Sequence, residues 1–144
     1  MTAAGDEPRP VDLPSAYASF AAELWAPRIA ATVNDYDVKI ANGEGDYVWH
    51  SHPDTDEFFL VVKGRLTIEL EGLDPVVLGP LQLFTVPRGV RHKPSAEPGT
   101  RLLFFEPHGT VNSGDADLRA DPWVFSTTGL ALGRPGPSAA PESR

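Results

Sequence analysis

The sequence predicts a single, mostly β domain. Three observations carry that reading. The length of 144 residues suits one domain with its own core. The 13 glycines and 15 prolines punctuate short apolar runs through the middle of the chain. The connections between those runs are short enough for hairpins and meanders. No repeat of about 20–50 residues recurs, which excludes a propeller or solenoid.

Residues 1–12 are polar, contain Pro8 and Pro10, and read as a flexible N-terminal arm. The pattern supports one helix, over 15–24: Ser15 can cap it, Tyr17, Phe20, Ala21 and Leu24 recur at helical spacing, and Pro27 stops it. Strands follow over 28–33, 36–40 and 47–52, separated by Asn34-Asp35 and by an Asn42-Gly43-Glu44-Gly45 break. A loop at 53–56 leads to strands over 57–63, 66–71, 76–78 and 82–86. The turn Pro87-Arg88-Gly89 precedes strands over 90–94 and 100–106, giving roughly eight to ten in all. Residues 123–125 are expected to fold back onto the body. Residues 133–144, GRPGPSAAPESR, have almost nothing apolar to bury and read as a disordered C-terminal tail.

Charge and composition narrow the function. A net charge of −8 argues against nucleic acid or an anionic membrane surface as partner, because either needs a basic face. The absence of cysteine removes thiolate nucleophiles, iron–sulfur clusters and cysteine zinc sites. The opening MTAAGDEPRPVD has no basic segment followed by an apolar stretch, and the apolar runs 58–62 and 102–105 are too short to span a bilayer. The expected location is the cytoplasm. The run 58–62 is apolar on both faces of its strand, so its outer face needs cover from a second sheet or subunit; a homodimer is the expectation.

Three of the four histidines fall in an arrangement with chemical logic. His50 and His52 are two apart on an expected strand and share a face; Glu57 opens the next strand, and His92 follows the turn at 87–89. Imidazoles converging with a carboxylate suit a divalent first-row metal such as iron, manganese, nickel, cobalt or zinc. Four protein ligands on a six-coordinate ion leave two positions open, as catalytic sites require.

Residues 45–64, GDYVWHSHPDTDEFFLVVKG, resemble the first motif of the cupin superfamily, and residues 79–92, GPLQLFTVPRGVRH, are similar to its second. The resemblance implies a double-stranded β-helix, or jelly-roll, barrel, often dimeric, that accounts for about residues 28–110 of a single domain expected over 13–132. It also implies His50, His52, Glu57 and His92 as ligands of one divalent metal ion per chain (Fe, Mn, Ni or Zn). Glu57 can instead act as an acceptor behind a three-histidine site, or as a general base.

Other residues carry two readings. Asp54 and Asp56, between the ligands, suit either proton transfer or a solvated acidic loop. Phe59 and Val61 share the phase of Glu57 and would line the pocket. Lys39 is a candidate anion-binding pocket residue or a solvent-facing lysine. Arg88 and Arg91 flank the His92 turn and could draw anions. Trp49 alternates away from the ligands, and His108 reads as a surface loop residue.

The function expected is a metal-dependent enzyme acting on a small polar, metal-chelating molecule, with oxygenase chemistry as the leading class. The alternatives are a non-redox isomerase, lyase or cyclase, in which the metal acts as a Lewis acid, and a non-catalytic small-molecule-binding cupin.

Overall fold

A computed structural model describes residues 8–134 and 136. In chain order its elements are α1 (Leu13–Ala18), β1 (Arg28–Val33), β2 (Tyr36–Asp46), β3 (Glu57–Lys63), β4 (Leu66–Leu70), β5 (Val76–Leu78), β6 (Leu83–Val86), β7 (His92–Pro107) and β8 (Leu130–Ala131). The hydrogen-bonded path runs β5-β4-β7-β2-β1-β8, with β3 joined to β7 and β6 to β3. Among the described residues no helix is long and apolar enough to cross a membrane.

Strand β7 is the spine. Along one edge it pairs antiparallel with β2, from Tyr36↔Pro107 to Asp46↔Ser95. Along the other, residues 92–96 pair with β4 and residues 101–105 pair with β3. One strand thus organises three neighbours, and their inward side chains meet in a single core that includes Ala41, Phe59, Val61, Leu66, Ile68, Val86, Leu102 and Phe104. Each large aliphatic or aromatic side chain buried there contributes about 1.5–3 kcal/mol. Strand β2 is buried on both faces: Ala41 faces this core, while Ile40 packs under Ala16 and Tyr17 of α1 and Phe20 beyond it. The Tyr17 hydroxyl donates to Leu102 O at 2.5 Å, pinning α1 to the sheet.

Several elements differ from the sequence pattern. The helix is Leu13–Ala18 rather than 15–24. Its cap is Asp12, whose carboxylate accepts from Ser15 N at 3.1 Å, and Ser15 lies inside the helix. Residues 42–45 do not break β2 but run through it, with a register shift between Gly43 and Gly45. The stretches 92–94 and 100–106 belong to one strand, β7, which runs through Pro94 and Pro98 and turns at Gly99, where φ is +82°. The segment 47–52 is tied by a single bridge, His50↔His92, rather than forming a full strand. Strand β8, parallel to β1 over two residue pairs, is too short to leave a periodic signal. Val124 does fold back into the core, while Trp123 stays exposed. Residues 1–7 of the expected arm, and all of the expected tail except Gly133, Arg134 and Gly136, lie outside the described residues.

The outer face of β6, β3 and β7 carries an apolar row. Phe58 pairs with Phe105, and Leu60 with Leu83 and Leu103. Leu83 is 58% exposed and Phe105 38%.

Gly64, in the turn from β3 to β4, has φ of +91°, and a Cβ there would sit 2.6 Å from Thr100 Cα. Gly72 has φ of +79° with nothing nearby. Gly64→Ala should therefore cost about 2–4 kcal/mol in urea unfolding, and Gly72→Ala only about 1 kcal/mol. Equal losses would contradict the packing argument.

Candidate metal centre

The ligand geometry begins in the backbone. His50 and His92 exchange both main-chain hydrogen bonds, His50 N to His92 O at 3.0 Å and His92 N to His50 O at 2.8 Å. Directly opposed residues place their side chains side by side, and the two imidazoles stand 4.4 Å apart, centroid to centroid. Gly89 N donates to His52 O at 2.9 Å, tying the 87–91 turn to the same segment. Glu57 opens β3 opposite Val86 of β6. From these positions three Nε2 atoms converge on Glu57 Oε1: His92 at 2.9 Å, His52 at 3.1 Å and His50 at 3.8 Å. All four donor groups lie within 4.8 Å of one another and are buried.

Two of the rings have their outer nitrogens occupied. His50 Nδ1 lies 2.8 Å from Val48 O, and His92 Nδ1 lies 2.9 Å from Val90 O. A carbonyl only accepts, so each Nδ1 carries the proton and donates. Each Nε2 of a neutral ring then presents its lone pair inward, the arrangement a metal-binding imidazole needs. Burial pushes His50 down to about 4, with the neighbouring His92 and His52 adding to the drop against the pull of Glu57. Burial also lowers His52, but its contact with Glu57 outweighs this and leaves it raised. Burial alone would raise Glu57; the close approach of the His52 and His92 rings more than reverses that and holds it well below the usual carboxylate range.

These residues fit a divalent ion. His50 Nε2 and His52 Nε2 are buried without a hydrogen-bond partner, a costly condition that a cation between them and Glu57 would relieve. A donor set of nitrogens and one carboxylate, without sulfur, suits a first-row metal.

A second tie holds the ligand segment from across the chain. Ser51, between the two histidines, donates through N to Asp115 Oδ1 at 2.6 Å and through Oγ to Asp115 Oδ2 at 2.7 Å. Asp115 N returns a bond to Ser51 O at 3.1 Å. These bonds, chiefly that from Ser51 N, hold the Asp115 carboxyl below its ordinary value. Gly114 allows the close approach: a Cβ there would lie 3.1 Å from His50 Cδ2.

Two of the four candidate ligands, His50 and Glu57, line a cavity of about 30 Å³. Its walls are mostly apolar and aromatic, including Trp25, Tyr47, Phe59, Pro94 and Phe104, with His50 and Glu57 at one side and Glu106 and Asn112 as further polar residues. Trp25 reaches it because β2 has no side chain at Gly43, where a Cβ would stand 3.2 Å from the indole. Asn112 is spent on structure, donating to Phe125 O and accepting from Thr127 N. Glu106 accepts from Lys39 Nζ at 2.7 Å. Burial and the charge of Glu57 nonetheless push Glu106 above the usual carboxylate range.

The remaining candidates scatter. Phe59 lines the cavity, whereas Val61 lies deeper in the core. Lys39 is 1% exposed, so the solvent-facing reading is corrected; its ammonium is held by Glu106 and Thr110 O, behind the cavity wall. Asp56 accepts from Arg88 N at 2.9 Å and steadies the 88–89 turn, and Asp54 borders an open cleft beside His52. Arg91 pairs with Glu71 and lies over the Trp49 ring, outside the cavity. His108 is an exposed loop residue, yet its Nδ1 meets the buried Asp37 at 2.9 Å. Sequence reasoning missed Trp25, Tyr47, Glu106 and Asp115. Strict alternation assigns Tyr47 to the face away from His50, and the irregular backbone at 47–49 breaks that rule.

Comparison with known proteins accords with this picture. Residues 36–106 match the family model described as Cupin domain. The uncharacterized protein YdbB of Bacillus subtilis (strain 168) is 39% identical over 61 residues, 42% of this chain and 54% of that protein. The chain thus matches about half the length of this curated relative. Among solved structures, a cupin-2 domain containing protein from Shewanella frigidimarina NCIMB 400 is 35% identical with a TM-score of 0.64, over 67% of this chain and 93% of that one. A putative mannose-6-phosphate isomerase from Ralstonia eutropha JMP134 is 25% identical with a TM-score of 0.52, over 69% and 98% respectively.

Two variants test the centre. His50→Ala should drop metal well below one ion per chain by elemental analysis while circular dichroism stays β-rich; retained stoichiometric metal contradicts the assignment. Asp115→Ala leaves every donor atom in place but frees Ser51, and should weaken metal affinity by about tenfold.

Proposed function

The chain belongs to the cupin family, and from that premise we propose that it is a metal-dependent enzyme, an oxygenase acting on a small molecule that chelates the bound ion. The observation that carries this reading is a buried group of three histidines and one glutamate beside an apolar, aromatic-walled cavity. His50, His52, Glu57 and His92 would hold the ion, which supplies open coordination positions and Lewis acidity when bound.

The chain's own residues set what can react there. Trp25, Phe59 and Phe104 wall a space of about 30 Å³ that admits only the chelating end of a substrate and leaves its body outside. That refines the sequence-based expectation of a small polar molecule. Glu106, raised in pKa at the cavity wall, is placed to take a proton from an acidic substrate hydroxyl. The Ralstonia neighbour, a putative mannose-6-phosphate isomerase, suggests sugar-phosphate isomerisation as a second reading. It is less well supported: a phosphate calls for cationic partners, and neither Lys nor Arg is among the residues lining the cavity. We also propose a homodimer formed through the apolar row of Phe58, Leu60, Leu83 and Phe105, and a jelly-roll barrel as the finer description of the fold.

Elemental analysis of protein purified without chelators should find one redox-capable metal, iron or manganese, per chain. Substrate-dependent oxygen consumption should follow on a panel of small enols, diols and thiols. Stoichiometric metal with no oxygen uptake would shift the assignment to isomerase or lyase chemistry, and no metal in any preparation would leave a binding protein. Light scattering at micromolar concentration should give the mass of two chains, and a monomer would refute the dimer.

A further inference from the structure

Four buried side-chain polar atoms lack a hydrogen-bond partner among the described residues: His50 Nε2, His52 Nε2, Asp37 Oδ1 and the Tyr47 hydroxyl. A bound ion accounts for the two imidazole nitrogens. Asp37 is engaged through its other oxygen by His108. The Tyr47 hydroxyl has no such explanation.

Tyr47 is 6% exposed and lines the cavity together with His50, Glu57 and Phe59. Its ring meets the His50 ring edge-on, with centroids 5.5 Å apart, and is braced from another side by Trp25 at 5.2 Å. Tyr47 also borders an open cleft beside Trp49, but its hydroxyl has no contact with solvent there. A phenylalanine would pack the same ring without burying an unpaired hydroxyl, which is destabilising. An unpaired buried hydroxyl on a residue that lines a cavity is accounted for by what the cavity binds. A phenol keeps its proton at neutral pH, so the hydroxyl is a donor.

Resting on the metal-centre reading above, we propose that the Tyr47 hydroxyl donates the hydrogen bond that positions a small anionic or oxygen-donor ligand in the cavity beside His50 and Glu57. The cavity size restricts that ligand, or the end of it that enters, to a few non-hydrogen atoms. Tyr47 is thus the polar contact that distinguishes a correctly turned chelating group from an apolar one of the same shape.

The test compares wild type with Tyr47→Phe after loading with cobalt(II), using azide as probe and the visible cobalt spectrum as readout. Both proteins should take up one cobalt per chain. Azide should bind the variant about tenfold more weakly than wild type. The metal-free variant should unfold at the same temperature as wild type or roughly 2–4 °C higher. Equal azide affinity overturns the proposal, as does failure of wild-type cobalt protein to bind azide. A melting temperature several degrees lower in the variant also overturns it, because the hydroxyl would then have a structural partner. Failure of wild type to take up cobalt is a separate result that removes the metal-centre reading itself.

Discussion

Three imidazole nitrogens pointing at one carboxylate oxygen in a buried space are the constraint around which this protein is arranged. Removing four titratable groups from water is unfavourable unless each finds a partner. Here the partners are one another, and the match is incomplete: His92 reaches Glu57 at hydrogen-bond distance, while His50 stays at 3.8 Å. Glu106, a second buried carboxylate whose pKa is raised partly by Glu57, adds to the demand for positive charge. Lys39 answers part of it from behind. A divalent cation among the four donors would satisfy the remainder, which is what suits this geometry to holding a metal ion.

The fold serves that convergence through close backbone approach. His92 opens the longest strand and faces His50 across a single bridge, so one pair of main-chain hydrogen bonds aligns two of the four candidate donors. Glycine appears where a side chain would obstruct: Gly43 under Trp25, and Gly114 against the His50–Ser51 segment. The 112–117 loop then clamps Ser51 through Asp115, adding a restraint that comes from far along the chain. Main-chain carbonyls of Val48 and Val90 complete the set by turning the rings and settling which nitrogen carries the proton.

Much of this was legible in the residues. His50, His52, Glu57 and His92 stand at spacings that resemble the cupin motifs, and the structure brings the four together. Strands β1, β3 and β5 fall at the expected bounds because turn residues flank each of them. What escaped notice depends on contacts without sequence periodicity. Tyr47 reaches the cavity because residues 47–49 are not a regular strand, so alternation misplaces it. Lys39 looks like a surface lysine until β7 brings Glu106 alongside. Asp115 lies in a loop, 64 residues from the Ser51 it holds. Asp12 caps the helix because its carboxylate accepts from Ser15 N, so Ser15, the expected cap, lies inside the helix.

The measurement that bears most directly on this account is anomalous diffraction, at the cobalt absorption edge, from crystals grown with cobalt(II). The account predicts one strong peak per chain, bounded by the Nε2 atoms of His50, His52 and His92 and by the Glu57 carboxylate. A peak on the Asp54 and Asp56 loop instead, or none within reach of the three imidazoles, would contradict it.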